Sequence, residues 1–261
     1  MRALIDFWLL AATLCKQDLQ ERFAGAMLGS LWIFIWPLVQ LFIYLVIFGK
    51  LMGGRFGGDG HIYSYGIYVA SGLLAWSCFA NTLQRTARAF VDKRQIINKV
   101  MVDLRVFPLA VCMAELLPFA LGALLLFAAD LASGWSPSPS LLGWTLLALY
   151  CQQALAAGFG LFLACCAVFV RDTTEAVAIA LQMAFWFTPI VYLPSILPDW
   201  AARALVINPM THVVGIFQQC FVFGQGVSPA SVAYMLLSAH AAVALGLYTL
   251  HRLHKDIRDV L

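Results

Sequence analysis

Glu115 stands inside an otherwise apolar run, Val106 to Leu131. A carboxylate at that depth in a bilayer is costly to keep charged. Its chemistry is therefore either proton transfer, as a general base, or pairing with a neighbouring helix. Nothing nearby in the sequence completes a catalytic set. The five histidines, His61, His212, His240, His251 and His254, form no His-Glu-x-x-His or comparable ligand pattern. There is no Gly-x-Ser-x-Gly elbow, and no Gly-x-x-x-x-Gly-Lys-Ser/Thr loop to cradle nucleotide phosphates. The seven cysteines, Cys15, Cys78, Cys112, Cys151, Cys165, Cys166 and Cys220, lie in apolar segments without a Cys-x-x-Cys pair and read as free packing thiols. Asp130 is the only other acid within a span, too few for a self-contained ion carrier with its usual paired, broken helices. Glu115 is read as a helix-contact or cavity residue, with an intramembrane enzyme as the alternative.

The elements that must hold such a residue follow from composition. Hydrophobic residues make up 62% of the 261, and charged ones 11%; mean hydropathy is +0.86. The apolar residues fall in blocks of about 20, the length a helix needs to cross a hydrocarbon core roughly 30 Å thick. The chain reads as an all-α integral membrane protein with six transmembrane helices, at 31–51, 62–83, 106–131, 141–170, 176–192 and 231–250. Residues 2–22 are amphipathic and interrupted by Asp6, Lys16 and Glu21, which predicts an interfacial helix, not a cleavable leader. Gly53-Gly54 with Gly57-Gly58, and Ser133 to Pro139, mark loops. Residues 194–229 are apolar but broken by Pro194, Pro198, Asp199, Arg203, Asn208, Pro209, His212, Gln218 and Gln219. They predict a re-entrant helical hairpin on the external side, because irregular backbone at membrane depth survives only inside protein or beside water. No segment is long and polar enough to form a separate soluble domain.

Orientation follows from charge. Six spans place both termini on the side of 84–105 and 171–175, which gathers thirteen basic residues against Lys50, Arg55 and Arg203 on the other. The positive-inside rule makes that side cytoplasmic. A net charge of +3 gives no reason to expect nucleic acid as a partner. Within 84–105, Ala87, Phe90, Val91, Arg94 and Ile97 follow helical spacing, so one face could dock on protein while basic residues meet lipid phosphates; simple anchoring is the alternative. Trp32 and Trp36, four apart, share a face near the cytoplasmic end of the first span. With Tyr44 and Trp76 they suit an interface belt, ordinary packing, or a smooth ring surface for sugar C–H groups.

Several stretches, in order, resemble the permease subunits of type-2 ABC exporters, in the branch that exports lipid-linked polysaccharides. They are Asp18 to Trp32 with Trp36-Pro37, Ser71-Gly72-Leu73-Leu74-Ala75-Trp76, Ile96-Ile97-Asn98-Lys99-Val100, Phe107-Pro108, Phe169-Val170-Arg171-Asp172-Thr173, Thr188-Pro189-Ile190-Val191-Tyr192 and Asn208-Pro209-Met210. The resemblance implies a transport subunit that is not itself an enzyme and binds no cofactor. It would pair with itself and with two copies of a separate cytoplasmic ATPase carrying ATP and Mg. It further implies an inner-membrane location, an undecaprenyl-pyrophosphate-linked polysaccharide as cargo, O-antigen first, and a glycan pathway along Trp32, Trp36, Tyr44 and Trp76. Arg22 becomes the candidate for the lipid pyrophosphate. ATPase coupling is expected through 2–22 and 86–101, with Arg88, Phe90, Arg94 and Ile97. The sequence departs from the branch at Asn98 to Asp103, where a Lys-Lys or Lys-aromatic run is usual. Capsule or teichoic acid export, then drug or lipid export, then an enzyme using Glu115, are the alternatives.

Overall fold

The computed structural model describes residues 2–22, 24–25, 27–51, 64–100, 102–132, 139–223 and 227–260. These are helices joined by short connections, with no strand among the described residues. The loops expected at Gly53 to Gly58 and at Ser133 to Ser138 lie outside them.

α1 runs Arg2–Arg22, the bounds expected for the N-terminal helix. Gly25 and Gly29 then adopt φ of +82° and +49°, the left-handed region that glycine enters without a Cβ penalty. α2, Trp32–Ile43, follows and is continued by wider, π-type turns over Tyr44–Leu51. α3 spans Ser64–Asp92, α4 Arg94–Lys99, α5 Val106–Ala132 and α6 Pro139–Phe169. α7 covers Thr173–Trp186, α8 Asp199–Leu205, α9 Pro209–Gln218 and α10 Pro229–Val260.

Among the described residues, four helices are long and apolar enough to cross a membrane: Tyr65–Asp92, Val106–Leu131, Leu142–Phe169 and Pro229–Val260. A fifth crossing arises if α8 and α9, bent by 94°, count as one broken span. The expected span 31–51 coincides with α2 and its continuation, Trp32–Leu51, of which Trp32–Ile47 is the apolar stretch. The expected span 176–192 is cut short: α7 stops at Trp186 after 14 residues, roughly 21 Å of helix. Pro189 accounts for that stop, since it cannot continue the ladder and pushes the residue before it out of the helical region. α3 also departs from its expected end. It runs past 83 to Asp92 as one rod, because Gln84 to Asp92 contains no Gly or Pro to end it.

The irregular stretch after α7 is held by side chains. Tyr65 donates to the Val191 carbonyl at 2.7 Å, Tyr68 to Tyr192 at 3.0 Å, and Gln218 to Pro189 at 3.0 Å. These replace the helical partners those carbonyls lack. Asn208 caps α9, accepting from the Met210 N–H at 3.0 Å, with Pro209 preset at the first helical position.

The bundle packs around α3 and α6, with α6 against α10 the most extensive pair. A second apolar cluster closes one end of the bundle. It joins Ala11 and Leu14 of α1, Phe90 of α3, Ile97 of α4, Val106 and Phe107 of α5, Leu161 and Cys165 of α6, and Leu250 and Ile257 of α10. Arg258 donates to the Val102 carbonyl at 2.6 Å across the same end.

Candidate functional site

Glu115 projects from the middle of α5 and is 1% exposed. Its Oε1 accepts from Arg22 Nη2 at 2.6 Å, at the C-terminal end of α1, and from Arg85 Nη1 at 2.5 Å, on α3. Arg85 Nη2 also donates to Asp18, one turn before Arg22, and Asp18 lies 3.6 Å from Arg22. Two guanidiniums and two carboxylates thus neutralise one another across three helices. Removing one member of such a buried group is far costlier than the group's net contribution. Glu115 Oε1 is engaged by both arginines, which makes Glu115 a contact between helices, the first of the two roles, helix contact or cavity, read from sequence. Arg85 is the member that sequence reasoning did not single out. It sits in the basic run 84–105, and α3 continuing straight past Leu83 is what turns it toward α5.

The two basic residues Arg22 and Arg85 are each 29% exposed on the side chain. Beside them, α1, α2 and α5 enclose a cleft of ≈ 470 Å³ lined by Ala12, Cys15, Leu19, Ile33 and Met113, with Lys16 and Gln20 also in its wall. Burial raises the pKa of Cys15 first, Asp18 adds to the rise, and Arg22 and Arg85 oppose it, so this cleft residue also feels the charge cluster.

The four rings proposed for a glycan track do not form one surface in a single chain. Trp32 and Trp36 are exposed on α2, which buries none of its residues. Tyr44 lies half-buried against Leu73, Leu74 and Ser77 of α3. Trp76 is buried instead, with ring centroids 5.7 Å from Phe79 and 6.0 Å from Phe185 of α7. It lines an apolar cavity of ≈ 440 Å³ between α3, α6, α7 and α9.

The coupling set also divides. Phe90 and Ile97 are 0% and 3% exposed inside the end cluster, where they seat α4 and offer no face to another protein. Arg88 pairs with Glu175 at 3.2 Å, tying α3 to the start of α7. Arg94 is exposed. Lys93, between them, pairs with Glu21 of α1 at 2.8 Å. Among the described residues no group of His, Cys, Asp and Glu could hold a metal ion.

Residues 10–222 match the family described as ABC-2 type transporter. This chain belongs to that family. An ABC-2 chain is a multi-pass membrane subunit of a transporter, not an enzyme, and works with a partner ATPase. The chain is similar to an O-antigen export system permease protein RfbA of Myxococcus xanthus, 27% identical over 247 residues, 94% of this chain and 92% of that one. It is also similar to a protein of the same name from Klebsiella pneumoniae, 26% identical over 215 residues, 82% of this chain and 81% of that one.

Proposed function

We propose that this ABC-2 chain is the membrane subunit of an ATP-driven exporter that moves an undecaprenyl-pyrophosphate-linked polysaccharide, of the O-antigen class, from the cytoplasmic to the periplasmic face of the inner membrane. The observation that carries the reading is near-full-length similarity to two proteins named O-antigen export system permease RfbA. Two copies of the chain would pair, each with one ATPase subunit that binds ATP and Mg. α2 has no fully buried residue in its own chain and leaves Phe34, Trp36, Leu38 and Phe42 exposed, which suits a helix whose partner is a second copy. In that pairing Trp32, Trp36 and Tyr44 would line the glycan path. Trp76 would support the wall from behind.

The orientation proposed from charge is supported by the end cluster, which brings together α1, α4, the α6 end and the α10 end, all assigned to the cytoplasm. Six crossings then require α2 with its continuation and α7 to count as short spans, with α8 and α9 as the external re-entrant pair. The ATPase would touch α1 and the 86–101 segment, with Arg88 and Arg94 as outward residues and Phe90 and Ile97 holding α4 in place. Arg22 is proposed to meet the lipid pyrophosphate, since a guanidinium matches phosphate oxygens in both charge and shape.

A clean deletion of the gene tests this. Polymer should be made and remain on the cytoplasmic face, with no surface O-antigen. Normal surface polymer in the deletion strain would overturn the reading.

A further inference from the structure

The charge cluster and the cleft beside it are adjacent parts of one surface, and the cluster is asymmetric. Glu115 is buried and takes one N–H from each arginine, whereas Asp18 takes a single N–H, from Arg85, and its second carboxylate oxygen is buried without a hydrogen-bond partner among the described residues. Each guanidinium has five N–H donors. Arg22 gives one to Glu115, and Arg85 gives one to Glu115 and one to Asp18. Glu115 therefore fixes both forks without exhausting them. With Asp18 counted the cluster is neutral; with Asp18 moved aside it carries one net positive charge on two part-exposed arginine side chains. Apolar walls begin immediately alongside, at Cys15, Leu19, Ile33 and Met113, and Lys16 contributes a further positive charge.

We infer that Arg85, together with Arg22, forms the seat for the diphosphate of an isoprenoid-type amphiphile whose first apolar units occupy the α1–α2–α5 cleft, and that Asp18 is a placeholder the diphosphate displaces. This rests on the export reading above and adds to it a second phosphate-binding residue, a competing carboxylate and a place for the lipid. Glu115 is a positioning residue here. Its carboxylate orients both guanidiniums and stays paired when the ligand binds.

The competition gives the seat a signature that a purely structural ion network lacks. Neutralising Asp18 removes the repulsion and frees Arg85, so Asp18→Asn should bind the ligand more tightly, by about five- to tenfold at moderate salt. Arg85→Gln should weaken binding by about tenfold or more. The full chain would be purified in detergent and titrated calorimetrically with farnesyl diphosphate, and separately with inorganic pyrophosphate. Farnesyl diphosphate should bind more tightly than pyrophosphate, because only it fills the cleft. Unchanged or weaker binding in Asp18→Asn would overturn the placeholder, and that variant decides the matter even if Arg85→Gln fails to fold. Equal affinity for the two probes would overturn the cleft as the lipid's place. Loss of surface O-antigen on gene deletion combined with either of those results would refute this seat while leaving the export function standing.

Discussion

Glu115 and Arg22, 93 residues apart, are joined by a 2.6 Å hydrogen bond, and Arg85 meets the same carboxylate oxygen at 2.5 Å. α1 is thereby fastened at one buried point to α3 and α5, two helices long and apolar enough to cross a membrane. Motion of α1 must either carry α3 and α5 with it or break this contact.

The first prediction concerns that fastening. Glu115→Gln leaves two guanidiniums facing each other without their shared counter-charge, and should lower stability by about 3 kcal/mol, the low end for a broken buried pair because both arginines reach solvent. Arg85→Gln on that background should restore part of the loss, since the surplus positive charge is then removed. Thermal unfolding of the three purified variants in one detergent measures this. Strictly additive losses would show that the two residues do not act on each other.

The aromatic residues divide by burial. Trp76→Ala should cost about 3–5 kcal/mol through the hole left against Phe79 and Phe185. Trp32→Ala with Trp36→Ala should leave folding of the isolated chain within about 0.5 kcal/mol. Reduced surface polymer in the double variant, at normal protein level, then reports on the transport path. Normal polymer would return both rings to the membrane interface.

The coupling residues separate in the same way. Arg94→Glu should lower recovery of the partner ATPase in mild detergent while the chain itself keeps its melting temperature. Phe90→Ala should depress the melting temperature, because a fully buried ring is lost from the cluster that seats α4. An Arg94→Glu chain that still brings down its ATPase at the wild-type ratio would remove that residue from the interface.

How much of this was legible in the sequence depended on whether a residue's role was local or long-range. Asn208 and Pro209 count only among the interruptions of 194–229, and the expected fifth span crosses Pro189 to 192, although a helix start and a helix stop at those places are local signals of capping and proline geometry. Glu115 was visible as a costly group, but its partners lie 30 and 93 residues away, beyond any periodicity. Phe90 and Ile97 shared a helical face with Arg94, and spacing alone could not say whether that face met a partner protein or the chain's own core. The straight run of α3 through Gln84 was hidden for another reason. The hydropathy falls there while helix propensity does not, so an apolar window ends before the helix does. Trp76 looked like its exposed counterparts because a tryptophan at a span end and one under a second helix have the same local sequence.

A pH dependence follows from Glu21. Its carboxyl is held below the ordinary value of 4.5, first by the hydrogen bond from Lys93 and then by that from Gln17. A lowered carboxylate contributes stability above its unfolded pKa and loses it as pH falls through the folded value. The pair is largely exposed, so about 0.2–1 kcal/mol is expected. Glu21→Gln should therefore be slightly less stable than the parent at neutral pH, and the two should converge well below pH 4.5. Thermal shift across that range measures the difference; a gap that does not close on acidification would mean that the pair holds nothing.

The contact between α6 and α10 is set by two glycines. A Cβ on Gly158 would lie 2.4 Å from the Ala242 carbonyl carbon and the Val243 nitrogen, and one on Gly246 would lie 2.4 Å from the Gly158 carbonyl oxygen. Those obstacles are backbone, so no rotamer change relieves them and the helices must part. Such close approach is what small residues four apart, Ala242 with Gly246 and Ala154 with Gly158, provide where apolar burial gives no drive for helices to associate in lipid. Gly158→Val and Gly246→Val should each destabilise by at least about 1–3 kcal/mol, the range for overpacking a tight contact. Gly143→Ala, on the same helix α6 but with nothing within 4 Å of its added carbon, should be close to neutral. Membrane-fraction yield and melting temperature of the three variants test the contrast. A Gly246→Val chain as stable as Gly143→Ala would mean that α10 does not press its backbone against α6.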